Sequence, residues 1–200
     1  DRTSGLQSEA VTLVYLGLGT NVGEKRENLR RAGAMLRRTR GVRVKRVSPV
    51  YETEPQIVAD QAWFLNQVVE IETRLAPARL LAACRKIEKM MGRRRGRRFG
   101  PRVMDVDILL YGDTKVTGGS GDPPLQIPHP RLHQRRFVLK PLADLAPDLV
   151  HPVLGKTIRA LLRGCPARGQ TVRRMGGEAA APTTDKTQNV AREVVRSTKS

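Results

Sequence analysis

Asp105 and Asp107 stand one residue apart inside the apolar run Val103 to Leu110 (VMDVDILL), and this constrains the chain more than any other feature. The run reads as a β-strand. Strand side chains alternate faces, so both carboxylates point the same way. Two carboxylates on one face of a buried strand repel each other and lose hydration. One or two divalent cations between them remove both penalties, and hard oxygen ligands with no cysteine or histidine beside them favour Mg²⁺ over zinc. Directly ahead lies a glycine-punctuated arginine loop from Arg93 (RRRGRRFGPR), whose guanidinium groups can hold phosphate oxygens bidentately. A magnesium pair beside such a loop points to a polyphosphate, and so to nucleotide-dependent phosphoryl or pyrophosphoryl transfer.

Each half of this motif has an ordinary explanation. A DxD pair on a strand is often two edge carboxylates near a turn, and an arginine run is usually a solvated face or a nucleic-acid patch. Their adjacency, with Gly96, Gly100 and Pro101 between, favours the chemical reading. Glycines make the loop mobile and Pro101 fixes where the strand restarts, and a solvated face needs neither.

Two hundred residues suggest one domain with a core of its own. The formal charge of +18 implies attraction to anions, and nucleotide, nucleic acid and acidic membrane all fit. Three Phe, three Tyr and one Trp are sparse for a single-strand stacking platform. Cys84 and Cys165 lack metal or redox spacing. No apolar run is long enough to span a membrane, and the opening DRTSGLQSEA has no signal pattern, so a cytoplasmic protein with no membrane partner is expected.

Val11 to Leu18 reads as a buried strand, with a turn at residues 19–23, and Lys25 to Arg38 as an amphipathic helix ended by Gly41. Val42 to Val50 reads as a half-exposed strand, Tyr51 to Gln61 as a loop, and Ala62 to Glu72 as a strand. Pro77 opens a helix through about Met91. After the DxD strand, residues 112–124 suggest a hairpin tip, with short helices near Phe137 to Asp144 and Lys156 to Arg163. The pattern then stops. The expected organisation is a domain over 11–163 and a basic, disordered tail over 164–200. The element order predicts an α+β, ferredoxin-like sandwich: one antiparallel sheet with two helices on one face.

The segments VYLGLGTNVGEKRENL, SPVYETEP, WFLNQVVEIET, FGPRVMDVDILLYGD and IPHPRLHQRRFVLKPL occur in this order at natural spacing. Together they resemble the 6-hydroxymethyl-7,8-dihydropterin pyrophosphokinases over roughly Val11 to Leu162. That family has a ferredoxin-like fold, in agreement with the order above. The resemblance implies transfer of diphosphate from ATP to the pterin hydroxymethyl group, giving AMP, with two Mg²⁺ ions and no nucleic-acid partner. It implies that Asp105 and Asp107 bind metal and that Asp107 can accept the hydroxyl proton. Arg95, Arg98 and Arg102 match catalytic, triphosphate-contacting positions. Glu88, Ile108, His129 and Arg135 match the rest of the ATP site. The pterin site maps onto Phe64 and Phe137 as flanking rings, Asn66 as the amide that reads the heterocycle edge, Phe99 in the arginine loop, and Thr53, Glu54, Pro55 and Gln56. Some relatives are fused to other folate enzymes, and this chain fits a part of such a fusion.

The sequence also departs from the family pattern. Phe99 replaces a common Trp, Glu54-Pro55 a common Pro-Pro, Arg85 a nucleotide-contacting Gln and Thr20 a Ser. The arginine loop is one residue shorter than in some relatives. His133 and His151 read as ordinary packed or exposed residues. The competing function is a basic nucleic-acid-binding module with a ferredoxin-like sheet, against which stand the missing RNP aromatics and the DxD pair. A different ATP-dependent kinase lacks its P-loop or kinase signature.

Overall fold

The structure, a computed structural model, describes residues 10–56, 60–92, 102–118 and 124–176. The readings of Arg95, Arg98 and Phe99 lie outside the described residues.

The elements in chain order are β1 (Thr12–Thr20), α1 (Lys25–Arg38), β2 (Val42–Val47), β3 (Tyr51–Thr53), β4 (Phe64–Thr73), α2 (Pro77–Met90) and β5 (Asp105–Tyr111). A small β6–β7 pair (Val116–Thr117, Gln126–Ile127), α3 (Arg136–Leu145), α4 (Ile158–Gly164) and β8 (Val172–Arg174) follow. The main sheet runs β5-β1-β4-β3-β8, with β2 also on β4, and all these pairs are antiparallel. Its spatial order β5-β1-β4-β2, with α1 and α2 as the crossings, is the ferredoxin-like arrangement.

Local sequence explains the boundaries. Glu27 in the first turn of α1 and Arg37 and Arg38 in its last complement the helix dipole. Pro77 takes the first position of α2, where its missing N–H costs nothing. The loop expected after Val50 begins instead as β3, which takes over from β2 along β4: β2 pairs residues 69–73 and β3 pairs residues 64–66. The Ser48-Pro49 step lies between them. Ser48 Oγ accepts the Val68 N–H at 2.9 Å, and the Ser48 N–H donates to the Val68 carbonyl at the same distance.

Helices α1 and α2 share one face of the sheet, as expected, and further helices cover the other. Val14, Leu16 and Leu18 of β1 pack with Leu29 and Leu36 of α1 and Leu80 and Cys84 of α2. Tyr15, Val68 and Leu109, on the opposite face, pack with Leu139 and Leu142 of α3 and Ile158 of α4. The short helices after residue 136 are therefore a third layer, which their length alone did not reveal.

Residues after 163 remain in the fold. Cys165 is buried, and β8 extends the sheet beside β3. The folded unit reaches at least residue 176, and the tail expected beyond it lies outside the described residues. Among the described residues no helix is long and apolar enough to cross a membrane.

Candidate active site

The sheet face under α3 and α4 carries large apolar residues at one end and small or polar ones at the other. Along β1 this face reads Tyr15, Gly17, Gly19; along β4, Val68, Asn66, Phe64; along β5, Leu109, Asp107, Asp105. The α3–α4 layer packs on Tyr15, Val68 and Leu109. The other end forms the floor of a cleft of about 540 Å³. Gly17 and Gly19 keep that floor low. A Cβ at Gly19 would stand 3.0 Å from Asn66 Oδ1, so the close approach of that amide requires glycine.

Pairing registers place the polar residues in rows. Asp105 pairs with Gly19, Gly19 with Asn66, and Asn66 with Tyr51. Asp107 pairs with Gly17 in the next row. Both aspartates therefore share one face and line one cleft. Asp105 and Asn66 are two interstrand steps apart, about 10 Å.

Asp105 is half-buried and accepts a hydrogen bond from Arg102 Nη1 at 2.8 Å. Arg102 is itself fixed by the buried Asn21, whose Oδ1 accepts its N–H at 2.8 Å and whose own N–H donates to its carbonyl at 3.1 Å. Asn66 is buried and donates through Nδ2 to the buried Thr53 Oγ1 at 2.6 Å. The sequence reading places Thr53, Glu54, Gln56, Phe64, Asn66, Arg102, Asp105, Asp107, His129, Arg135 and Phe137 in the site, and all of them line the cleft. Pro55, between Glu54 and Gln56, does not. Sequence reasoning missed Gln61, Gln67 and Gln134 as lining residues, and also the two glycines. The alternating GLG of β1 was the available signal for the glycines, since glycine inside a strand often marks a close approach.

A second cleft of about 470 Å³ adjoins the first, because Asp107 and His129 line both. It holds Glu88 and Ile108, which the sequence reading assigns to an ATP site, and Arg85 and Lys89 beside them on α2. Glu88 is buried, and its Oε1 accepts the Val106 N–H at 3.0 Å.

His129 is anchored by its own N–H to the Leu109 carbonyl at 2.9 Å, and its Nδ1 accepts the Arg131 N–H at 3.2 Å. Burial, then the charges of Arg135 and Arg131, push its imidazole down to about 4. The ring is neutral at pH 7, and with Nδ1 accepting, the proton sits on Nε2. Burial also lowers the Arg135 guanidinium, against the charge of Asp107. Arg135 lies 5.5 Å from the centre of the Phe137 ring. His133 and His151 line neither cleft: their rings meet edge to face at 6.5 Å, and His151 Nδ1 accepts the Val153 and Leu154 N–H groups at 3.2 Å.

A family model described as 7,8-dihydro-6-hydroxymethylpterin-pyrophosphokinase matches residues 15–147. The Folic acid synthesis protein fol1 of Schizosaccharomyces pombe is 45% identical over 157 residues, covering 78% of this chain and 21% of that protein. The 2-amino-4-hydroxy-6-hydroxymethyldihydropteridine pyrophosphokinase of Methylorubrum extorquens is 46% identical over 152 residues, covering 76% of this chain and 92% of that one. The chain thus spans about a fifth of the yeast relative and most of the bacterial one. Among solved structures, the wild-type HPPK-DHPS of Plasmodium falciparum with pteroate superposes with a TM-score of 0.64 at 17% identity, covering 78% of this chain and 44% of that one. That likeness concerns the fold.

Proposed function

The chain belongs to the 7,8-dihydro-6-hydroxymethylpterin-pyrophosphokinase family, and from that premise we propose that it transfers diphosphate from ATP to the hydroxymethyl oxygen of 6-hydroxymethyl-7,8-dihydropterin for folate biosynthesis. The observation that carries this reading is the Asp105–Gly19–Asn66 row. It sets an amide reader and a carboxylate pair at opposite ends of one cleft floor, about two interstrand spacings apart. A flat heterocycle held at Asn66 then directs its hydroxymethyl arm toward the aspartates.

In this reading the pterin lies over Gly17 and Gly19 with Phe64 and Phe137 beside its faces. Asn66 meets its polar edge together with backbone of residues 53–56. The triphosphate reaches in from the second cleft across Asp107 and His129, with adenosine beside Ile108 and the α2 residues. The hydroxymethyl oxygen attacks the β-phosphorus, the bond from that phosphorus to the oxygen bridging the α-phosphate breaks, and AMP leaves with the electron pair. The hydroxyl proton passes to Asp107 or to water. Neutral His129 donates Nε2–H, and Arg102 and Arg135 supply positive charge to phosphate oxygens. Arg95, Arg98 and Phe99 join the site by family resemblance alone.

Asp105 and Asp107 would hold Mg²⁺. Two carboxylates with no third candidate ligand among the described residues suit an ion that takes the rest of its shell from water and phosphate oxygens. Two bound Mg²⁺ ions would neutralise triphosphate charge and make the hydroxyl more acidic. Arg102 holds Asp105 here, and with a cation at Asp105 its guanidinium would be free to turn toward phosphate oxygens.

The nucleic-acid alternative is not favoured, since the pyrophosphokinase family model matches residues 15–147 and the α3–α4 layer leaves only the cleft end of its sheet face open. A place within a longer folate enzyme and a cytoplasmic location belong to the same proposal. For the first, the support is the length of the yeast relative; for the second, it is that both cysteines are buried and unbridged. The test is to supply ATP, Mg²⁺ and the hydroxymethyl-dihydropterin. AMP and the pterin diphosphate are expected as products. Formation of ADP, or no pterin-dependent turnover, would overturn the reading.

A further inference from the structure

Helix α3 begins without a cap from its own neighbourhood: Arg135, at its N-cap, makes no side-chain capping bond. The first N–H groups of a helix have no partner within it. Gln170, 34 residues downstream, supplies one, its Oε1 accepting the Arg136 N–H at 2.9 Å. Its Nε2 donates to the Gln134 carbonyl at 3.2 Å and the Pro166 carbonyl at 3.1 Å. The residues on either side reach the opposite way. The Thr171 N–H donates to Glu54 Oε1 at 2.8 Å, the Glu54 N–H donates to the Thr171 carbonyl at 3.3 Å, and Gln56 Nε2 donates to the Gly169 carbonyl at 3.1 Å. Gly169 turns the chain with a φ of +68°, a conformation that suits glycine, and the Gln170 N–H closes that turn on the Ala167 carbonyl at 3.0 Å.

The partners of these bonds are not scattered. Glu54, Gln56 and Gln134 line the cleft, and Arg136 sits between two lining residues, Arg135 and Phe137. We propose that Gly169-Gln170-Thr171 is a positioning clasp for the heterocycle slot. It ties the 53–56 segment to the start of α3, and so sets how far the edge-reading backbone stands from the Phe137 ring. None of the three lines the cleft, so they act through the residues they hold. The proposal rests on the reading of this cleft as the pterin site. It adds that pterin affinity depends on a segment beyond the expected domain edge at 163.

The same structure makes the effect selective. The clasp touches neither the second cleft nor the aspartate strand. Of the nucleotide-side residues only Arg135 neighbours it, and the backbone of Arg135 is held separately, its N–H on the Leu132 carbonyl at 3.3 Å and its carbonyl by the Val138 and Leu139 N–H groups at 3.1 and 2.9 Å. The experiment uses the full chain and three variants. Gln170→Leu removes every polar contact at similar volume. Gln170→Glu keeps an acceptor for the Arg136 N–H, with a negative charge that a helix N-terminus favours. Gln170→Asn stays polar but is too short to span Arg136 and Gln134, and it replaces the leucine variant should that one not fold. Binding of 6-hydroxymethylpterin is read by its fluorescence, binding of a non-hydrolysable ATP analogue with Mg²⁺ by calorimetry, and folding by thermal denaturation. Gln170→Leu should weaken the pterin about 5- to 20-fold, the size of one or two lost hydrogen bonds, and leave the nucleotide analogue within about twofold. Gln170→Glu, which keeps the bond to the Arg136 N–H but turns an acceptor oxygen toward the Gln134 and Pro166 carbonyls, should recover part of the pterin affinity. Unchanged pterin affinity in Gln170→Leu, with or without a lower melting temperature, overturns the clasp, and so does an equal loss of both ligands. A wild type that binds and turns over the pterin as well as Gln170→Leu sinks the clasp alone, whereas a wild type that does neither sinks the functional reading with it.

Discussion

The carboxylate of Glu88 accepts the backbone N–H of Val106 at 3.0 Å, and Val106 is the residue between the two cleft aspartates. β5 is an edge strand, paired on one side by β1, so its outward amides need partners from elsewhere. Glu88 meets this need from α2 and fixes the height of the strand at the point where two like charges have to be held together. Glu88→Ala should cost about 1–3 kcal/mol of stability. It should also raise the Mg²⁺ concentration for half-maximal activity by roughly 10-fold, as loss of a supporting bond behind metal ligands does. Glu88→Gln keeps the acceptor and should restore the Mg²⁺ requirement. Magnesium titrations of both variants, beside urea melts, check this; a stability loss with an unaltered Mg²⁺ dependence would show Glu88 to be structural only.

Asp105 and Asp107 differ in surroundings although they share a face. Asp107 is exposed, whereas Asp105 is half-buried against Arg102. Asp107→Ala should therefore lower the melting temperature less than Asp105→Ala does, and lower kcat by at least about 10²-fold, the scale of removing a group aimed at transition-state charge. Asp105→Ala should lose a similar amount of activity and also some stability, since it strips the partner from a partly buried guanidinium. Steady-state kinetics of AMP formation and thermal melts of the two variants separate these effects. Equal melting temperatures with activity within tenfold of wild type would remove both residues from the chemistry.

Period-two alternation made the aspartate pair legible, because a strand leaves no choice of face for residues 105 and 107. The same rule joined Phe64 to Asn66 on β4. Helices α1 and α2 were equally plain, being long, amphipathic and marked by Pro77. What stayed hidden was set by distant pairing. β3 is three residues of ordinary polarity, YET, and becomes a strand only because β4 has a vacant edge beyond β2. β8 reads as basic tail, and it is a strand because β3 offers it hydrogen bonds. The third layer of α3 and α4 was invisible for a related reason: a short helix shows its apolar stripe but not which face it will cover. Glu88 read as a nucleotide neighbour, and its bond to Val106 could not be seen without the fold.

Gly19 faces Asn66 across the sheet, with room for no more than a hydrogen. A Cβ there would stand 3.0 Å from Asn66 Oδ1, close enough that the amide has to shift. Asn66 is held by its bond to Thr53, so the shift strains a 2.6 Å hydrogen bond or tilts the amide proposed to read the heterocycle. Gly19→Ala should raise KM for the pterin about 10-fold, leave KM for ATP within about twofold, and lower stability by roughly 1 kcal/mol. Asn66→Ala should raise the pterin KM by about 10- to 100-fold through loss of the reader itself. Parallel KM measurements for both substrates decide it: an ATP effect as large as the pterin effect would place Asn66 outside the heterocycle slot.

His129 links the acid stability of the protein to its two clefts. Its imidazole is pushed down to about 4 in the folded chain, first by burial and then by Arg135 and Arg131. In the unfolded chain it returns to about 6.5. Between these values the unfolded state binds the extra proton, so stability rises with pH across that window. The stabilisation is fully present above pH 6.5 and is lost as pH falls toward 4. His151, also lowered by burial and by His133, adds a loss of the same sign. From pH 7 to pH 5 the His129 contribution to the unfolding free energy should fall by about 2 kcal/mol. In His129→Gln, which cannot titrate, the loss over the same interval should be smaller by that amount. Urea unfolding without nucleotide or metal at the two pH values measures it, and an NMR titration should show the His129 ring still neutral at pH 5.5. Equal losses in wild type and variant would mean that the ring is protonated in the folded state near its ordinary value, and that it meets phosphate as a cation, not as a neutral Nε2–H donor.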